Sequence, residues 1–274
     1  MQRIAVRRRV TRIDVDRGVR QAEDTLAAEE PLEIRVGGRP LAVTMRTPGH
    51  DVELAAGFLV SEGVVGDADE FAAARYCAGE TDEGLNTYNV LDVTLGRGVP
   101  APDPSLERSF WTTSSCGLCG KASIDAVRTR SRYSVAEDAV VLPADVLATF
   151  PDRLREHQDV FEKTGGLHAA ALFSEAGELL VLREDVGRHN AVDKVVGWAL
   201  TAGLLPLRGV VLMVSGRASF ELVQKAVMAG IPLLAAVSAP SSLAAELAHE
   251  SGLTLVGFLR GTTMVVYSRP DRVA

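Results

Sequence analysis

Between residues 209 and 267 the chain alternates short, continuously apolar runs with segments of helical spacing, and this alternation restricts the fold more than any other feature. Runs 209–215, 232–237, 253–258 and 264–267 read as strands, and segments near 219–228 and 241–249 read as helices between them. Strands apolar throughout are covered on both faces, so the pattern predicts βαβ units around a parallel sheet and an α/β fold class. Upstream, 169–173 and 179–182 read as a hairpin turned at Ala176-Gly177. A helix then opens at Asn190, with Val192, Val195, Val196, Ala199 and Leu200 recurring at helical spacing and Gly203 closing it. Asn190 and Asp193 are spaced like a capping box.

The N-terminal third reads as β-rich. Leu32, Ile34 and Val36 alternate, Gly37-Gly38 supplies a turn, and Leu41, Val43 and Met45 alternate again. A helix follows Pro48, Gly49 and Asp51, carries Leu54, Phe58 and Leu59 on its apolar face and ends at Gly63. After a strand through Asn89, Leu91, Val93 and Leu95, the breakers from Gly96 to Pro104 mark a loop. These features divide the chain into a β-rich part with one helix (1–105), a segment around paired cysteines (106–135) and an α/β part (136–274).

The 274 residues carry 29 basic and 36 acidic side chains, a net charge of −7, which opposes binding to nucleic acid or an anionic membrane. No apolar run approaches the roughly 18 to 20 residues that span a bilayer. Arg7, Arg8 and Arg9 are followed by Asp14, Asp16, Arg17, Arg20, Glu23 and Asp24 where an export signal needs an apolar stretch. The expectation is a cytoplasmic protein with a solvated N-terminal extension.

Four segments carry chemistry. In Thr113-Ser114-Ser115-Cys116-Gly117-Leu118-Cys119-Gly120-Lys121 two thiols stand two residues apart, flanked by glycines that keep the backbone accessible. A helix starting near Cys119 and the neighbouring Lys121 favour the thiolate, which suits a nucleophile or sulfur carrier. Structural zinc and disulfide exchange use the same spacing, but a tetrahedral zinc site lacks an obvious second pair of ligands. His168 lies in Thr164-Gly165-Gly166-Leu167-His168-Ala169-Ala170; a zinc deaminase would carry Glu two residues after this histidine, where the chain has Ala170. In Arg183-Glu184-Asp185-Val186-Gly187-Arg188-His189-Asn190, with Lys194 one turn on, Arg188 and Lys194 are candidates to meet anionic groups near a helix start. The strand ends at Ser215-Gly216-Arg217, Ser238-Ala239-Pro240 and Phe258-Leu259-Arg260-Gly261-Thr262-Thr263 place small, hydroxyl and arginine residues where open α/β sheets bind ligands. Neither a dinucleotide fingerprint nor a P-loop is present.

In this order the motifs resemble the FdhD family of formate dehydrogenase accessory sulfurtransferases. The resemblance runs from the hairpin near Leu32 to Tyr267. It implies a cytidine-deaminase-like α/β fold, a homodimer and a sulfur relay. Persulfide sulfur passes from a cysteine desulfurase to the molybdenum or tungsten bis-guanine-dinucleotide pterin cofactor of formate dehydrogenase, and guanine nucleotides bind as analogues. Carried onto this sequence, it makes Cys116 the persulfide carrier and Cys119 its partner. Phe258, Leu259, Arg260, Gly261, Thr262 and Thr263 fall in the cofactor-binding segment. A polyanionic acceptor needs a basic site even in an acidic protein, and Ser215, Gly216, Arg217, His168, Arg188 and Lys194 complete the candidate set. The alternative is a non-enzymatic chaperone for the cofactor or a guanine nucleotide, its CxxC serving as a metal or docking element.

Overall fold

A computed structural model describes residues 3–77, 88–102 and 131–274. Strands β1 (Ala5–Asp14) and β2 (Gly18–Ala27) form a two-stranded antiparallel sheet. Arg7, Arg8 and Arg9 therefore lie on a β-hairpin, which corrects the expected extension. Arg8 pairs with Asp24 and Arg9 with Glu23 across the strands, so cross-strand opposite charges offset the like-charge run. Strands β3 (Glu30–Val36) and β4 (Arg39–Arg46) form the predicted hairpin, with Gly37 and Gly38 both at positive φ as a tight two-residue turn requires. Helix α1 (Asp51–Ser61) follows, then β5 (Phe71–Tyr76) and β6 (Val90–Leu95), which complete a four-stranded sheet in the order β4-β3-β6-β5.

Three short helices not anticipated from the sequence, α2 (Ala144–Ala148), α3 (Phe150–Glu156) and α4 (Asp159–Thr164), precede the main sheet. Strands β7 (His168–Phe173) and β8 (Leu179–Asp185) form the expected hairpin, followed by helix α5 (Arg188–Thr201). Then come β9 (Val211–Val214), α6 (Phe220–Met228), β10 (Leu233–Ala236), α7 (Ser242–Ser251), β11 (Thr254–Arg260) and β12 (Thr263–Ser268). The six strands join in the order β12-β11-β10-β9-β7-β8. Only β9, β10 and β11 run parallel; β7, β8 and β12 are antiparallel to their neighbours, so the sheet is mixed. Tight links such as those joining β7 to β8 and β11 to β12 permit only antiparallel pairing, whereas helical crossovers permit parallel pairing.

All residues of β9 and β10 are buried because both sheet faces are covered. Leu212, Val214 and Leu234 face a core shared with α1, α5 and α6, while Val211, Met213 and Leu233 face Leu147, Phe150 and Leu154 of α2 and α3. The first core continues into Leu32, Ile34 and Leu91 of the four-stranded sheet, so apolar packing joins the N-terminal part to the α/β part. Helices α1 and α5 meet through glycines: a Cβ at Gly57 would stand 1.8 Å from the Asp193 carbonyl oxygen, and one at Gly197 would stand 1.8 Å from that of Glu53.

The predicted capping box does not form. Helix α5 begins at Arg188 with Gly187 as N-cap and no side-chain cap. Asn190 donates to the Met45 carbonyl and to Asp185 instead, while Asp193 accepts from Ser61 and Lys225. Tertiary partners outcompete the local cap because these side chains are buried within the helix packing.

Candidate functional site

The carboxyl ends of β9, β10 and β11 converge at one edge of the main sheet, and hydrogen bonds continue beyond the strands. Val237 N donates to the Val214 carbonyl, Ser238 N to that of Gly216 and Phe258 N to that of Ser238. These bonds hold the three strand-end turns in one fixed arrangement. Because β7 runs antiparallel to β9, its first residue reaches the same edge. Ala169 N donates to Ser215 Oγ over 2.9 Å, and Ser215 N returns a bond to the Ala169 carbonyl at 3.0 Å. His168 thus stands beside Gly216, where a Cβ would lie 3.3 Å from its Nδ1; the glycine leaves room for the ring.

Electrostatics at this edge are set by Arg188, His189 and Asp185. Burial, then the positive charge of Arg188, pushes the His168 pKa below its ordinary value, leaving a neutral imidazole. Arg188 is half-buried, and its buried Nε has no hydrogen-bond partner among the described residues. A partly desolvated guanidinium left this way is suited to an anionic ligand, because withdrawing a charge from water without a partner is costly. The Nε2 of His189 lies 3.3 Å from Ser219 Oγ and 3.5 Å from Glu221 Oε2. Burial raises the Glu221 carboxyl, but hydrogen bonds from His189 and Ser219 outweigh it and hold the group below its ordinary pKa.

Of the predicted site residues, His168, Ser215, Gly216, Arg217 and Arg260 come together along this edge. Arg217 is exposed, and Arg260 anchors its Nε on the Val237 carbonyl at 2.9 Å. Gly261 and Thr262 form the turn to β12, whose first residue is Thr263. Phe258 is 42% exposed at a bulge, with a φ of 50°. Two assignments need correction. Leu259 is fully buried in the core with Phe150 and Met213, because strand alternation turns it inward between exposed Phe258 and Arg260. Lys194 is 1% exposed and engages Asp185 and the Thr47 carbonyl, so its charge is neutralised inside the protein and is not offered to a ligand. Cys116 and Cys119 lie outside the described residues.

Beside His168 and Ser215 opens a cavity of about 720 Å³ whose other walls include Leu154, Arg155, Gln158, Phe161 and Val237. Its walls from α3 and α4 were missed by sequence reasoning, since these helices have only 7 and 6 residues, too few for a clear periodic pattern. Pro151 in the first turn of α3 was the available signal.

The profile of the FdhD/NarQ family matches residues 27–274. The chain belongs to this family. Among FdhD/NarQ relatives, the sulfur carrier protein FdhD of Streptomyces avermitilis is 66% identical over 100% of this chain and 97% of its own length. The protein of the same name from Mycobacterium tuberculosis is 57% identical, with 97% of each chain covered. A solved structure described as a formate dehydrogenase accessory protein from Desulfotalea psychrophila superposes with a TM-score of 0.79 at 24% identity. It covers 99% of this chain and 100% of its own, and supports the same fold. The FdhD/NarQ match includes Cys116 and Cys119, while hairpin β1–β2 lies almost wholly before it.

Proposed function

We propose that this chain is a sulfurtransferase that carries persulfide sulfur from a cysteine desulfurase to the molybdenum or tungsten bis-guanine-dinucleotide pterin cofactor of formate dehydrogenase. In the proposed first step the Cys116 thiolate attacks the outer sulfur of the donor persulfide. The donor S–S bond breaks, the donor cysteine leaves as thiolate, and Cys116 becomes the persulfide. In the second, the Cys119 thiolate attacks the inner sulfur of Cys116. A disulfide forms, and the terminal sulfur leaves with the electron pair as sulfide for the cofactor. The two thiols supply the two electrons that reduce it. The carrier works in the cytoplasm as a homodimer.

The observation that carries this reading is the convergence of Arg188, Arg217 and Arg260 on one sheet edge of an acidic protein, with Arg188 lacking a partner at Nε among the described residues. A pyrophosphate-bearing client cofactor is the type of ligand that such an edge holds, with the Gly216 and Gly261 turns allowing close approach to the backbone. The names of the relatives support the sulfur-carrying part.

The test is mass spectrometry after incubation with desulfurase and cysteine. Cys116 should gain about 32 Da, one sulfur atom. Cys116→Ala should neither gain the mass nor support formate dehydrogenase activity, while keeping the native circular dichroism spectrum. Full activity with that variant rejects the proposal.

A further inference from the structure

Two helix starts meet beside the arginine edge. His189 lies in the first turn of α5 and Glu221 in the first turn of α6. Asp185, at the end of β8, pairs across the hairpin with His168, so α5 opens at the same edge as the turn Ser215-Gly216-Arg217 that leads from β9 into α6. Ser219 holds the N-cap position of α6 without capping its own helix. Its hydroxyl lies 3.3 Å from His189 Nε2 instead, and Glu221 Oε2 lies 3.5 Å from the same nitrogen.

Glu221 stays ionised although its side chain is only 14% exposed, and its buried Oε1 has no partner among the described residues. Leaving one carboxylate oxygen buried and unsatisfied is costly, so local stability does not account for the group. Its effect falls on the imidazole. A carboxylate and a hydroxyl both placed at Nε2 hold the proton on that nitrogen and the ring in one orientation, which leaves Nδ1 to gain and lose a proton. His168 feels the charge of His189 and is itself kept neutral, so the two imidazoles at this edge differ in role.

The proposed second step needs a proton. A persulfide that gives up its outer sulfur without one expels doubly charged sulfide, a strong base and therefore a poor leaving group. We infer that His189 delivers a proton to the outer sulfur as the S–S bond breaks, with Glu221 and Ser219 as its positioning residues. The Cys119 thiolate attacks the inner sulfur and the disulfide forms. The outer sulfur leaves with the electron pair and the proton from His189 Nδ1, as hydrosulfide. The imidazole then regains a proton, matched by the one that Cys119 gives up on becoming a thiolate. The inference rests on the proposed sulfur relay.

The test is single-turnover discharge of the full chain, loaded by desulfurase and cysteine and then freed of both. Mass spectrometry follows loss of the added sulfur, about 32 Da, while released sulfide is measured in parallel. His189→Gln should slow discharge of the loaded fraction at least about hundredfold. Glu221→Leu should slow it roughly tenfold or more. In the nitrogen NMR spectrum of the His189 ring, the single Nε2–H form of the natural protein should give way in Glu221→Leu to a mixture of both tautomers, a change that a merely structural Glu221 would not produce. If His189→Gln does not fold, Ser219→Ala and Glu221→Leu carry the test. Discharge at the natural rate in the folded variants, or two tautomers in the natural protein, overturns the inference and leaves the sulfur relay standing. Failure of the natural chain to load, or to discharge once loaded, removes the relay and this inference with it.

Discussion

Lys194 Nζ lies 2.7 Å from Asp185 Oδ2, and neither side chain is more than 1% exposed. Asp185 also accepts from Thr47 N, Gly187 N and Asn190 Nδ2. One buried carboxylate therefore fixes the turn that presents Arg188 and ties it to the loop before α1.

Replacing Lys194 by Met leaves that carboxylate buried and without its cation, which should cost about 3 to 5 kcal/mol of stability. Urea unfolding measures the loss. Adding Asp185→Asn should recover part of it, because the uncompensated charge is then removed. A loss below about 1 kcal/mol would contradict a coupled buried pair.

The α1–α5 contact should be intolerant of the smallest added group. Gly57→Ala or Gly197→Ala forces the backbones apart and is expected to destabilise by roughly 1 to 3 kcal/mol or more. Thermal unfolding reads this directly. Gly98→Ala is the control, since a Cβ there meets nothing within 4 Å and only its φ of +86° opposes the change.

Acid should weaken the protein through Glu53. Burial raises this carboxyl, but hydrogen bonds from Arg183 and His50 outweigh it and lower the pKa from 4.5 to about 2. A depressed carboxylate contributes stability above its unfolded value that is lost as pH falls through its folded value. Stability should therefore decline between pH 4.5 and about 2. Arg183→Met should flatten that decline by about 2 kcal/mol in denaturant titrations at successive pH values. An unchanged slope would show that the Arg183 pair does not govern it.

Sulfate binding should report the charge of the edge, since sulfate keeps its own charge near neutrality. Arg188→Ala should weaken it about tenfold at every pH. Affinity should rise as pH falls below 6.5, because His168 is neutral above its lowered pKa and gains a proton only in acid. His168→Gln should remove that rise; its persistence would locate the titrating group elsewhere.

Much of this protein was legible without coordinates wherever local chemistry was decisive. Gly37-Gly38 fixed a tight hairpin, and continuous apolar runs identified β9 and β10. The same local reading recognised Ser215, Gly216 and Arg260 as strand-end residues, because their positions follow from where each apolar run stops. Only the tertiary structure decided which charges are available. Arg188 and Lys194 stand less than two helical turns apart and look alike in a sequence, yet packing against Asp185 neutralises one, while the other's Nε has no partner among the described residues. The cap of α4 likewise comes from Glu184, distant in the chain, and not from Gln158 at the N-cap position. Period and turn chemistry reside in neighbouring residues, whereas burial and partner choice depend on segments that meet only when the chain has folded.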